Sequence, residues 1–524
     1  MNMKKKHYVK SILLLLSLMF LVFNPALAFN ESKLEDEPEV LEKLILADGE
    51  FVFGPQLLDI DFKEYIHKNF PELSSHADLL VNLSYLHSIN PQVVLSIITL
   101  YPNDFAPTNS TFEEDIKNLF LTLSNYYYGH GHQDVYSKEN DRKIYTFNLK
   151  NNGGNVKVSK KVNAGSLAVA GVLAELNMDK SNFLSVISDN TSDKSNFAGK
   201  YKELFGKDPR KSENNVIPGK EAADKNLLSR FFAVYAAPVG GPPDDYLQLP
   251  YPQGESWLFG GIHANFPGAK DRSSVDFSPN FKEWPLAEND NYTVVAAAKG
   301  EVASTYQSSC STLIRHEDSN GNYNGWYTRY LHIEGIVVNI GDIVEKNAKI
   351  GIVAKTKAQA ECLFSFPPDY NASHVHVNLL YNGELINSDQ MFRDSAYNLN
   401  NVVLSGWKIY HDGVSNYSGD CSKNFFYKDN NNNDSWDTGE EKKCPYSDAL
   451  LNPGCTPPQS GDWIVSGSCT FTGSKTAPAN VIVQNNSVLR IANGASLKIN
   501  NFTNHGILVK NGSGVLVENG GKLY

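Results

Sequence analysis

The spacing of apolar positions changes twice along the chain. Between residues 29 and about 235 it is helical. Asn90-Pro91 reads as a helix start, with Asn capping free amides and Pro filling the first turn. Val93, Val94, Ile97, Ile98 and Tyr101 then keep one helical face until Pro102. A second helix is predicted over Ser166–Leu176. From Tyr246 the apolar runs shorten: residues 293–298, 301–303, 336–340 and 349–353 read as strands separated by Gly, Asn and Asp, which predicts an antiparallel sheet. Beyond Cys455, the pairs Val481/Val483, Leu489/Ile491, Leu497/Ile499, Ile507/Val509 and Val515/Val517 recur every 8 to 10 residues, with Asn-Gly at 493, 511 and 519. That repeat predicts a few rungs of a parallel β-solenoid, each strand burying alternate residues, with a small β-sandwich as the alternative. No obvious cap precedes Tyr524, so the last rung would offer a partner an edge, and attachment to a cell surface or wall is a hypothesis for this module.

The division expected is therefore a signal peptide (1–28), a mostly helical pro-domain (29–237), a mainly antiparallel β domain (238–454) and a small all-β module (455–524). Lys4, Lys5, Lys6 and Lys10 precede an apolar stretch from Ser11 to Phe23, and Pro25–Ala28 supplies a small-residue cleavage site, so export is expected. An uncleaved anchor is the alternative, although the stretch is short of the roughly 20 residues that span a bilayer. No later segment is long and apolar enough to span. Two Gly and three Pro fall between residues 238 and 243, an extended linker where a processing protease would cut the precursor; an uncut hinge is the bland reading. A net charge of −11 gives no footing for nucleic acid. All six cysteines lie between Cys310 and Cys469 without a Cys-x-x-Cys pair, which in an exported chain reads as disulfides.

The candidate chemistry lies in the β domain. His374 and His376 stand two apart in an apolar run, so on a strand they share a face. Upstream are His263 and, 13 residues on, Asp276. Two imidazoles and a carboxylate on rigid strands, with one position left open, make a catalytic zinc site; such an ion lowers the pKa of its water from 15.7 to about 7. Gly129-His130-Gly-His132 repeats the two-apart spacing, but its Gly and Tyr flanks suit a polar loop.

Trp257, His263, Ser273-Ser-Val-Asp276, Val294-Val-Ala-Ala, Trp326-Tyr-Thr-Arg-Tyr-Leu-His332, His374-Val-His376 and Tyr417 occur in an order that resembles the staphylolysin (LasA)-type zinc endopeptidases, over roughly residues 245–454. With lysostaphin and the murein endopeptidases, these hydrolyse glycyl-glycine or cell-wall peptides. The resemblance implies His263, Asp276 and His376 as zinc ligands, His332 and His374 as catalytic histidines, and Tyr417 as the group that steadies the transition state. It also implies disulfides Cys310–Cys362 and Cys421–Cys444, which leaves Cys455 for Cys469. This chain departs from that pattern mainly by insertions between Cys310 and His332 and after Cys421, which leave the implied ligands intact.

In the second insertion, Asp429, Asn431, Asn433, Ser435, Asp437 and Glu440 occupy the oxygen-bearing positions of a calcium loop, although Asp434 replaces the expected Gly. A solvated acidic loop is the alternative. The function expected is a secreted zinc endopeptidase, made as a pro-enzyme, that hydrolyses glycine-rich peptides of peptidoglycan or protein. The alternatives are a D-amino-acid cross-link hydrolase of the wall and an inactive wall-binding relative.

Overall fold

The computed structural model describes residues 42–524 apart from 59, 129–136, 140–141, 151–152, 160–161, 178, 213, 215–241, 243–245, 266–268, 270, 307–309, 319–320, 362–365, 367–369, 387–401, 413–418, 432–434, 453–454, 456, 458–460, 466–468, 472, 485–487, 502 and 511. Among these residues, no helix is long and apolar enough to cross a membrane.

The N-terminal region packs four principal helices, α1 (Ala77–His87), α2 (Pro91–Leu100), α3 (Phe112–Tyr128) and α4 (Ala164–Leu176). Asn90 caps α2 as its sequence predicts, its side chain accepting from the Gln92 amide at 2.9 Å. The helix predicted from Ser166 begins two residues earlier, because Asp48 accepts from the Gly165 amide at 2.6 Å and so caps α4 from a distant segment. The region is not all helix. An antiparallel three-stranded sheet, Ser137–Glu139, Arg142–Asn148 and Asn155–Ser159, sits between α3 and α4. Its strands pair as successive hairpins, Glu139 with Arg142 and Asn148 with Asn155, a period-two pattern that a helical period does not register. His130 and His132 lie outside the described residues.

The β domain is built on a sheet of β1 (Ser256–His263), β2 (Ser274–Ser278), β3 (Gly300–Tyr306), β4 (Ser311–Glu317), β5 (Tyr323–Leu331), β6 (Ile343–Val344), β7 (Val375–Tyr381), β8 (Glu384–Leu385) and β9 (Ala449–Leu451). The order is β6-β3-β4-β5-β7-β2-β1-β9, with β8 folding back on β7, and every pairing is antiparallel. Alternation along the central strands separates two faces. Ile262, Val275, Phe277, Trp326, Tyr330, Val375 and Leu379 enter one apolar core. The other face carries His376, Asn378 and Leu380 on β7, opposite Leu331, Arg329 and Tyr327 on β5.

The N-terminal region covers that second face. Tyr327, Leu380 and Leu385 belong to the same buried cluster as the helices, so one apolar core spans both parts. Polar contacts ring it. The β7–β8 turn, Asn382-Gly383, has φ of 48° and 89°, as a two-residue hairpin requires. Its carbonyls accept from Asn214 Nδ2 at 3.1 Å and from the Ser88 hydroxyl. A β-carbon on Gly383 would lie 2.3 Å from the Phe53 carbonyl oxygen, so this glycine is needed for close approach as well as for its positive φ.

The C-terminal module is the predicted solenoid. Trp463–Val465, Val481–Val483 and Ile507–Val509 stack in parallel, as do Cys469–Phe471, Val488–Ile491 and Gly514–Val517, and Ser474–Ala477, Ser496–Ile499 and Lys522–Leu523. Val481, Val483, Leu489, Ile491, Leu497 and Ile499 fill its interior. Val509, Val517 and Leu523, in register with Val483, Ile491 and Leu497, are exposed on the last rung.

Cys421 and Cys444 form a disulfide. Cys310 and Cys455 are also disulfide-bonded; the expected partner Cys362 lies outside the described residues, and the Cys469 pairing is not among the described contacts.

Two substitutions check this arrangement. Gly383→Ala should loosen the N-terminal region from the sheet, seen as faster proteolytic removal of residues before 215. Leu497→Ala, which opens a hole in the solenoid interior, should cost about 2–5 kcal/mol and lower the unfolding midpoint of the C-terminal module in a denaturant titration.

Candidate metal centre

Strand register brings the candidate groups together. Asp276 on β2 is the direct cross-strand neighbour of His376 on β7, so their side chains leave the sheet side by side. His263 ends β1, and its Nε2 stands 2.9 Å from Asp276 Oδ1. His376 Nδ1 reaches the same oxygen at 3.1 Å. His374, immediately before β7, places Nε2 3.4 Å from Asp276 Oδ2. All are buried.

His332 arrives differently. It follows β5 directly, and continued alternation would turn it away from the Leu331 face. A φ of 61° breaks the strand there. The imidazole swings back until its centroid is 4.8 Å from that of His374 and 5.6 Å from that of His376.

Main-chain and amide oxygens determine the imidazole tautomers. Nδ1–H of His263 donates to the Ala264 carbonyl at 2.7 Å, that of His332 to Ala360 at 2.7 Å and that of His374 to Ala372 at 2.8 Å. Nε2–H of His376 donates to Asn265 Oδ1 at 3.3 Å. His263, His374 and His376 therefore turn a bare nitrogen inward, toward the carboxylate.

Lone pairs aimed at one buried point repel unless positive charge lies among them. Burial opposes charge on His263, but the charge of Asp276 and its hydrogen bond outweigh burial and raise the proton affinity of that ring. Burial likewise opposes charge on Asp276, and the surrounding imidazoles hold its carboxyl well below the ordinary range. His376 is pushed down to about 4, chiefly by burial, and His332 well below its usual value by burial and by the neighbouring rings of His374 and His376. The pocket thus calls for a cation at a single point. Ligand atoms of His263, Asp276 and His376 all lie within 4.8 Å of one another, and two imidazoles with one carboxylate are a donor set that suits zinc. His332, His374 and His376 form a second such group, which shares His376 but lacks an anion.

Several neighbours carried no signal in the sequence. Trp284, Phe366 and Tyr370 wall the His332–His374 side, with Phe366 4.9 Å from the His332 ring and Trp284 5.9 Å from the His374 ring. Asn265 and Arg329 back His376. Arg329 falls within the Trp326–His332 motif, which marks it with no role of its own, and the other residues stand at no distinctive spacing. Tyr417 and Asn433 lie outside the described residues. In the acidic loop, Asp429 pairs with Lys408 at 2.7 Å, Asn431 Nδ2 donates to Asp437 at 3.0 Å, and Glu440 accepts from the amides of Asn430 and Asp437. Ser435 is described in this loop, and among the described residues its acidic groups form no metal-sized cluster.

Comparison with known proteins bears on these observations. Residues 44–217 match the LasA N-terminal domain family, and residues 284–388 match peptidase family M23. Protease LasA of Pseudomonas aeruginosa (strain UCBPP-PA14) is 27% identical over 400 residues, which cover 73% of this chain and 82% of that one. The β-lytic metalloendopeptidase of Lysobacter enzymogenes is 33% identical over 191 residues, 36% of this chain and 93% of the relative. Among solved structures, one titled a novel M23 metalloprotease, pseudoalterin, from the deep sea is 26% identical, covering 39% of this chain and 98% of that chain at a TM-score of 0.29. By its N-terminal domain, its peptidase domain and the relative it nearly spans, this chain belongs to peptidase family M23, as a LasA-type zinc metalloendopeptidase.

Proposed function

We propose that the chain is the exported precursor of an endopeptidase that cuts glycine-rich peptides, with His263, Asp276 and His376 as the zinc ligands and His332 and His374 as the proton-handling pair. The observation that carries this reading is the inward convergence of bare nitrogens on Asp276, which demands a cation. When bound, zinc supplies Lewis acidity toward a peptide carbonyl and the attacking water.

The chain's own groups do the rest. His263 and His376 are oriented by the Ala264 carbonyl and the Asn265 amide oxygen, outer contacts that hold each ring in its ligating tautomer. His332 and His374 each keep Nδ1–H on a main-chain carbonyl and so present Nε2 as the proton acceptor. Their ring centroids are 4.8 Å apart, so the imidazole that takes the proton from water is, once protonated, a donor within reach of the leaving amine, and it returns that proton as the peptide C–N bond breaks. Trp284, Phe366 and Tyr370 exclude bulk water from that side, which strengthens every charge interaction within. Tyr417, by resemblance, would hydrogen-bond the developing oxyanion.

Glycine as substrate rests on the ordered motifs from Trp257 to Tyr417. Export rests on the Lys-rich head and apolar stretch before Ala28. The precursor reading is supported by the N-terminal region lying over the sheet face that bears His376, and by a relative that 191 residues of this chain nearly span.

Chelation of the processed protein should abolish peptide hydrolysis, and zinc should restore it. His376→Ala should lose both metal and hydrolysis. His332→Gln should keep metal, measured by elemental analysis, while kcat falls roughly 10²–10⁴-fold. Offered pentaglycine and a D-Ala cross-linked muropeptide side by side, the processed protein should cut pentaglycine; cleavage of the muropeptide alone would overturn the glycine reading.

A further inference from the structure

Two side chains beside the proposed ligands are held by the main chain of the N-terminal region. Helix α1 ends at His87, with Ser88 left-handed at φ 54°. The last carbonyls of a helix lack partners inside it and carry partial negative charge. Here they point at the β domain. Tyr85 O accepts from Arg329 Nη1 at 2.5 Å, and Leu86 O accepts from Asn265 Nδ2 at 2.8 Å.

Both donors are fixed from behind. Arg329 is fully buried, donating through Nε and Nη2 to Asn378 Oδ1 at 3.0 and 2.8 Å and through Nη2 to Asn265 Oδ1 at 3.2 Å. That last oxygen also accepts from His376. Asn265 is held further by its amide, which donates to Asp271 Oδ2 at 3.0 Å. The guanidinium lies over the Tyr85 ring, 5.6 Å from its centroid. When the N-terminal region leaves, Nη1 and Nδ2 lose their acceptors together, and the charge loses part of its cover, while the groups that orient both side chains remain.

A glycine-rich peptide offers no side chain to recognise. A subsite for it has to be made of groups that meet main-chain N–H and C=O, held rigidly so that little ordering cost falls on the flexible ligand. We propose that Asn265 and Arg329 form a main-chain carbonyl clamp with two successive occupants: the Tyr85–Leu86 end of α1 in the precursor, and two carbonyls of an oligoglycine substrate in the processed enzyme. This rests on the proposed glycine-rich specificity and adds the residues that read it. Asn265 touches a proposed ligand as well, so its role must be separated from support of the metal.

The test uses zinc-loaded full chain. One portion is nicked in the 238–243 linker and kept together; another is processed until the N-terminal fragment is digested. In the processed form, Arg329→Lys and Asn265→Ala should each raise KM for pentaglycine about tenfold, the effect of losing one hydrogen bond to a charged or fixed donor. For Arg329→Lys, kcat should stay within about twofold, and both variants should hold full zinc at saturating zinc. In the nicked form, the same substitutions should release the N-terminal fragment on size-exclusion chromatography. Tyr128→Phe removes, from the N-terminal side, the α3 hydroxyl that accepts from the Leu385 amide of β8 at 3.5 Å, so it should release the fragment and leave KM unaltered. Should the clamp variants fail to fold, wild type alone decides: excess pentaglycine should displace the fragment from the nicked chain. Fragment release with an unchanged KM, loss of zinc in place of a KM effect, or no displacement by pentaglycine that is nevertheless cleaved would each overturn the clamp alone. Failure of wild type to cleave pentaglycine would overturn the glycine reading, and the clamp with it.

Discussion

A carboxylate buried among imidazoles is the constraint on which the β domain turns. Asp276 is almost wholly shielded from water, and an uncompensated charge in such a place costs several kcal/mol. The nitrogens nearest to it present lone pairs, because their outer N–H groups are already committed to carbonyl and amide oxygens. A proton or a metal ion must therefore balance the pocket. On the proposed function, the metal ion takes that place.

The strand period carries that constraint to the rest of the molecule. On β2, β5 and β7 the residues pointing one way make an apolar core, and those pointing the other way make a polar row from Asp276 and His376 through Asn378 and Arg329. The row then turns apolar at Leu380 and Tyr327, where the helices dock. One face thus carries the buried imidazole–carboxylate cluster at one end and the attachment of the N-terminal region at the other. Arg329 stands where they meet, tied to the sheet by Asn378 and to α1 by the Tyr85 carbonyl. Coupling between docking and the metal centre needs no long pathway in such an arrangement, because Asn265 contacts both α1 and His376.

The solenoid follows a different rule. Its strands pair in parallel, rung on rung, so each inward residue stacks on its equivalent one turn earlier and not on a neighbour across a hairpin. Interior Val, Leu and Ile are buried wherever a rung has another on each side, and they become exposed on the last.

What was legible in the sequence was local. Two-residue spacing places His374 and His376 on one side, the Asn90-Pro91 pair starts α2, and the repeating apolar pairs after Cys455 announce stacked rungs. Each of these follows from a backbone period that a few neighbouring residues determine by themselves. The tertiary structure alone decided the rest. That β2 lies beside β7 depends on pairings such as His376 with Asp276, 100 residues apart, so residue types and family resemblance offered the two as partners but no local period set them side by side. The left-handed turn that aims His332, the capping of α4 by Asp48 and the gathering of Asn265, Arg329 and the end of α1 leave no periodic trace. Their energies come from contacts between elements, and such contacts exist only once the chain has closed the loops that separate them.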